Sequence, residues 1–105
     1  MTQLVLLDGV GAGSRSKPIP IIDNTAASGY RSIQATVTGV GAVSATVVIY
    51  GCNDKRYPKE ILRFGLAGDT VATDMAKDNM PFEFYIADVE TLDGTAANVS
   101  VVASV

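Results

Sequence analysis

From Tyr30 onward, apolar and polar residues alternate with a period of two. Ile33, Ala35 and Val37 fall on one side of an extended chain, and Ser32, Gln34, Thr36 and Thr38 fall on the other. That is the pattern of a strand with one buried face. After Gly39-Val40-Gly41 the alternation resumes, with Val43, Ala45, Val47 and Ile49 on one face while Val48 and Tyr50 make the opposite face apolar as well. The pattern predicts two strands joined by a tight glycine connection, a hairpin. A strand apolar on both faces belongs at the centre of a sheet or beneath a partner.

The rest of the chain carries the same period. Gln3 to Leu7 reads as a first strand. Lys17-Pro18-Ile19-Pro20-Ile21-Ile22 cannot be helix, because each proline lacks an amide donor and biases its predecessor toward extended backbone. Residues 1–22 therefore read as an extended arm or edge segment, followed by turn chemistry at Asp23-Asn24-Thr25 and Ser28-Gly29. Cys52-Asn53-Asp54-Lys55-Arg56-Tyr57-Pro58 is a polar loop. Glu60 to Leu66 reads as a returning strand, with Ile61, Arg63 and Gly65 alternating against Leu62, Phe64 and Leu66. Ala67 to Met80 has no clear period, and Asp74 to Asn79 is compatible with one helical turn. Phe82, Phe84 and Ile86 alternate with Glu83 and Tyr85, Asp93-Gly94 reads as a turn, and Val99, Val101, Ala103 and Val105 share the face of a last strand. Seven to eight short strands at this spacing predict an all-β, single-domain antiparallel β-sandwich of jelly-roll-like type over residues 1–105.

Composition narrows the class. Apolar residues make up 48% of the 105 but aromatic residues only 7%, so the core is expected to be built from small β-branched side chains. Eight Lys plus Arg against eleven Asp plus Glu give a net charge of −3. A nucleic-acid partner is not expected, since neutralising phosphates needs a clustered excess of cations. The single cysteine, Cys52, cannot form an intramolecular disulfide. The N-terminal stretch MTQLVLLDG lacks the form of a signal peptide. No run approaches the roughly 20 apolar residues of a membrane helix, so no membrane partner is expected.

The most suggestive chemistry lies in LVLLDGVGAGSRSK, Leu4 to Lys17, where glycines at 9, 11 and 13 follow an apolar run. A phosphate loop needs its last glycine to open a helix whose amides bind the anion. Here Pro18 and Pro20 follow too soon, and neither the dinucleotide spacing nor Gly-Lys-Ser/Thr is present. The stretch reads instead as a glycine loop joining a strand to the arm. With no histidine in the chain, the commonest general base is missing. Cys52 reads as a packing residue, and Glu60, Glu83 and Glu90 as solvated charges. Asp69, Asp74, Asp78 and Asn79 match no calcium loop. Asn98-Val99-Ser100 matches the glycosylation sequon but lies in an expected strand. No catalytic residue, metal or cofactor is expected, and the chain does not read as an enzyme. The mean hydropathy of +0.27 and the doubly apolar strand point to surface that meets another chain.

Two stretches carry a resemblance. Ser28-Gly29-Tyr30-Arg31-Ser32-Ile33-Gln34-Ala35-Thr36-Val37-Thr38-Gly39, followed by Ala45-Thr46-Val47-Val48-Ile49-Tyr50-Gly51-Cys52-Asn53-Asp54, resembles a pattern of tailed-phage virion proteins in which a strand ends in Tyr-Gly-Ser-Asn-Asp. The closing Gly-Thr-Ala-Ala-Asn-Val-Ser-Val is similar in style. Cys52 stands where serine is common, and Lys55-Arg56-Tyr57-Pro58 is an unusual continuation. Such proteins are β-sandwich decoration (cement) proteins of capsids, or small tail and fibre components. The resemblance implies a structural virion protein, made in the host cytoplasm and lying on the outer capsid surface. It would bind the major capsid protein lattice and bridge neighbouring subunits, and a homo-oligomer, dimer or trimer, is expected. Within that reading the contact residues are Arg15, Lys17, Pro18 and Pro20 of the arm and Arg56 and Tyr57 of the loop, Arg and Tyr being favoured interface anchors. A carbohydrate-binding jelly-roll module is the alternative. A hydrolase using carboxylates is a weaker third.

Overall fold

Three strands of 20 to 22 residues dominate the molecule. The computed structural model describes residues 3–20, 31–78 and 82–104, and among these there is no helix. In chain order the strands are β1 (Gln3–Val10), β2 (Ile19–Pro20), β3 (Arg31–Cys52), β4 (Lys59–Asp78) and β5 (Phe84–Ser104). All pair antiparallel in one sheet of order β1-β5-β3-β4, with β2 beside β5. Among the described residues the expected seven to eight short strands are thus corrected to five. β3 is central, between β5 and β4, as its apolar residues on both faces require.

The difference has one cause. Gly39-Val40-Gly41 and Asp93-Gly94 do not reverse the chain; they bend it in place. β3 pairs with β4 and β5 on both sides of its glycines, with register shifts between Thr38 and Ala42 along β4 and between Thr38, Val40 and Ser44 along β5. These are bulges, which sharpen the twist and re-aim a strand without ending it. The stretch from Ala67 to Asp78 likewise continues β4, so no helical turn forms at Asp74. Thr70 stands at φ 65° within it.

The bends line up across the sheet as a crease. A Cβ on Gly39 would lie 2.8 Å from Val43 Cγ1 and 3.0 Å from the Thr95 carbonyl oxygen. One on Gly94, at φ +135°, would lie 2.9 Å from the same Val43 methyl and 3.1 Å from the Ala42 carbonyl oxygen. Only glycine fits this close approach and this backbone region. A 22-residue strand extends to about 70 Å at ~3.3 Å per residue. The longest dimension of the molecule is 42 Å, so the creased strands fold back.

The parity of the core shows how. Ile33, Ala35 and Val37 on one side of the crease and Val43, Ala45, Val47 and Ile49 on the other form one buried cluster. In β5 the same holds for Tyr85, Ala87 and Val89 and for Val99, Val101 and Ala103. The inward residues on both sides of the crease therefore belong to one core. One half holds β1 and the stretches 31–38, 71–78 and 98–104 (the β1 half). The other holds residues 13–20, 42–52, 59–69 and 84–93 (the arm half). In β5 the inward residue is Tyr85, fully buried, while Phe84 and Ile86 point outward. Gly51 lies under the Phe82 ring, where a Cβ would come within 2.8 Å. Phe82 meets Tyr85 edge-on at 6.1 Å.

Candidate interaction face

After the turn at Gly11-Ala12-Gly13, the N-terminal chain runs along the first half of β5. The Gly13 amide donates to the Val89 carbonyl, the Val89 amide to the Ser14 carbonyl, and the Ser16 amide to the Ala87 carbonyl. The Ala87 amide donates to Ser16 Oγ at 2.9 Å, and Ile19 and Pro20 pair with Tyr85 and Phe84. The arm is thus an edge of the sheet as far as Pro20. Ile21 and Ile22 lie outside the described residues. Prolines suit this edge, because an amide turned to solvent is not missed.

This pairing puts Arg15 opposite Asp88, Asp88 opposite Val48, and Val48 opposite Arg63, in one row across the outer face. The Arg15 guanidinium reaches Asp88 Oδ2 at 3.3 Å and sits 4.8 Å from the Tyr50 ring centroid. Beyond Ile86 and Tyr50, Lys55 Nζ lies 4.7 Å over the Phe84 ring. The outward-pointing Val48 and Ile86 are nonetheless buried; the flanking Arg15, Tyr50 and Arg63 are placed to close over them.

The other anchors stand in the loop after β3. Arg56 forks onto Asp54, with Nε 3.1 Å from Oδ1 and Nη2 2.9 Å from Oδ2, and its amide also donates to Oδ1. These bonds hold the Asp54 carboxyl below its ordinary pKa, the guanidinium contributing most and the backbone amide next, and they raise that of Arg56. Much of Arg56's donor capacity is therefore used inside the loop, where it also lies 5.4 Å from the Tyr57 ring. Tyr57 is 71% exposed, the most exposed large apolar side chain among the described residues. Lys17 and Pro20 are exposed and Pro18 is half-buried. The arm and the loop, some 40 residues apart in sequence, meet the same face through Tyr50 and Phe84.

Sequence reasoning missed Tyr50, Lys55, Phe84 and Asp88, whose meeting depends on the arm's register on β5. It also missed Arg63, which bridges Glu60 at 2.8 Å and Glu90 at 3.1 Å; both carboxylates raise the pKa of Arg63, Glu60 foremost. The expected acidic loop is strand: Asp69 and Asp74 are strung along β4 opposite Ala42 and Ala35, and Asp78 pairs with Arg31. Asn79 lies outside the described residues. Among the described residues no group of three or more potential metal ligands comes together. Cys52 is buried.

No family model and no curated protein matches the chain. Among solved structures the fold is similar to the crystal structure of the SPBc2 prophage-derived protein YomS. The match covers 97% of this chain and 88% of that one, with a TM-score of 0.52 and 10% sequence identity. What the two chains share is an all-β fold.

Proposed function

We propose that this chain is a structural virion protein of a tailed phage, a cement protein that binds the outer lattice of the major capsid protein and bridges neighbouring subunits. The observation that carries the reading is the arm-half outer face. Two segments distant in sequence present cations, prolines and aromatics there on a rigid sheet, a suitable composition for an interface anchored by Arg and Tyr. The likeness in fold to a prophage-derived protein agrees with a phage origin. In this reading the fold is a sandwich made by one sheet closed on itself, and it works by adhesion, without catalysis or cofactor. A shell repeats the contact many times, so each copy need not bind tightly.

The test is to isolate the particle that contains this chain and image it by electron microscopy. The reading expects stoichiometric copies on the outer lattice, with residues 14–20 and 53–58 at the contact. Arg15→Ala and Tyr57→Ala should lower occupancy. Copies confined to a tail or fibre would replace it with a tail component. Absence from any particle, together with binding of the isolated chain to a glycan array, would replace it with the carbohydrate module.

A further inference from the structure

The outer face of the β1 half is built differently. Three cross-strand rows cover most of it: Val5, Val102, Gln34 and Met75; Ser100, Thr36 and Thr73; and Asn98, Thr38 and Val71. None of these ten residues is charged; a fourth row of the same face, Ser104, Ser32 and Lys77, ends in a lysine at the β4 edge. Many of their polar groups already have protein partners. Thr73 Oγ1 donates to the Ala35 carbonyl at 3.1 Å and lies 3.0 Å from Gln34 Nε2 and 2.9 Å from Thr36 Oγ1. One donor and two lone pairs are all that a hydroxyl has, so with Thr36 donating, Thr73 is saturated. Thr38 Oγ1 donates to Asn98 Oδ1 at 3.1 Å, and Ser100 Oγ accepts from the Gly9 amide at 3.0 Å.

We propose that this face is a self-association surface, on which a second copy of the chain packs sheet against sheet. Covering polar groups is costly when their water bonds are not replaced; here the hydroxyls of Thr36, Thr38 and Thr73 already have protein partners, which lowers that cost. Val5, Val71 and Met75, three of the five exposed large apolar side chains among the described residues, stand in these rows at 57%, 51% and 57% exposure. Identical faces can meet only if they do not repel. In a chain of net charge −3, the three central rows bring no charge to desolvate and the one lysine stands at the edge, whereas pairing the arm-half face would bury Arg15, Asp88, Arg63 and Glu60. Edge pairing through β4 is the less favoured route: Asp74, opposite the fully buried Ala35, faces inward at that edge, and the strand kinks at Thr70, both devices that discourage strand addition. Four strands about 4.8 Å apart and eight residues at ~3.3 Å give a face of roughly 500 Å². Two copies would bury about 1,000 Å², the threshold of a specific but weak contact. The inference does not depend on the virion reading.

Sedimentation equilibrium of the full chain, from about 10 μM to about 1 mM, covers the range where a contact of this area associates. The wild type should dimerise with concentration and remain dimeric at about 1 M salt, where exposed charge pairs are screened. Met75→Lys and Val5→Lys should each weaken the dimer more than tenfold, although each lowers the net negative charge. Tyr57→Lys, the same change on the loop, should not. A monomer throughout the range, a dimer dissolved by salt, or one broken by Tyr57→Lys but not by Met75→Lys would overturn the proposal. If a face variant fails to fold, amide shifts of the wild type decide: movement with concentration must centre on residues 34, 73, 75 and 102, and movement centred elsewhere would refute it.

Discussion

The two outer faces of this sheet obey one rule of alternation and end in opposite chemistry. On the arm half the outward positions hold Arg15, Asp88, Arg63, Glu60 and Tyr50, joined by ion pairs and by a cation over a ring. On the β1 half they hold Ser, Thr, Gln and Asn beside Val5, Val71, Val102 and Met75, the polar ones joined by neutral hydrogen bonds at the same strand spacing. The inner faces share Val, Ala and Ile, to which the arm half adds Phe64, Leu66 and Tyr85 and the β1 half Leu7. Burial alone thus sets the inward residues, while the outward ones are free to specialise. A charged layer offers orientation and steering to a charged partner; a neutral, internally bonded layer offers an area that water leaves readily.

The comparison rests on the crease that separates the halves, and that is where it breaks most severely. Gly94→Ala puts a side chain at φ +135° and against the Val43 methyl, and should destabilise by about 3 kcal/mol. Denaturant unfolding followed by circular dichroism measures this, and a loss below about 1 kcal/mol would mean that the crease tolerates ordinary residues. Next comes Val48→Ala, which empties a site that is outward-facing yet fully buried. A loss of about 2 kcal/mol is expected. A near-zero effect would show that the charged layer does not close over Val48.

Thr73→Val sharpens the contrast. It removes the hydroxyl shared by Gln34, Thr36 and the Ala35 carbonyl, and should cost about 1 kcal/mol, with the same value at low and high salt. Arg63→Gln on the opposite face should have a smaller effect that shrinks as salt rises. Equal salt dependence for the two variants would erase the distinction between the layers.

The smallest effect lies in the loop. The Asp54 carboxyl is held below its ordinary value of 3.8, chiefly by the Arg56 guanidinium. A depressed folded pKa means that this contribution is complete above the unfolded value and is lost as pH falls through the folded one. Carboxylate titration by NMR should therefore place the Asp54 midpoint below 3.8, and Arg56→Gln should move it upward. No movement in the variant would separate the loop's geometry from its electrostatics.

The sequence by itself determined the strand period and the inward set from Ile33 to Ile49 and from Val99 to Ala103, and it narrowed β3 to the centre of a sheet or a place beneath a partner. All of these follow from alternation, and alternation is local. It also marked the prolines of the arm as an edge. What it could not distinguish is a glycine that reverses a chain from one that bends it: Gly39-Val40-Gly41 and Asp93-Gly94 read the same either way. Only the ladders on both sides of each bend, those of β3 to β4 and β5 and that of β5 to β3, decide that the strand continues. The candidate site divides likewise. Arg15, Arg56 and Tyr57 are legible as residue types in loops, whereas Tyr50, Asp88, Phe84 and Lys55 join them only through a register fixed by partners about 30 to 70 residues away. Long-range pairing carries that information, and no short stretch of sequence contains it.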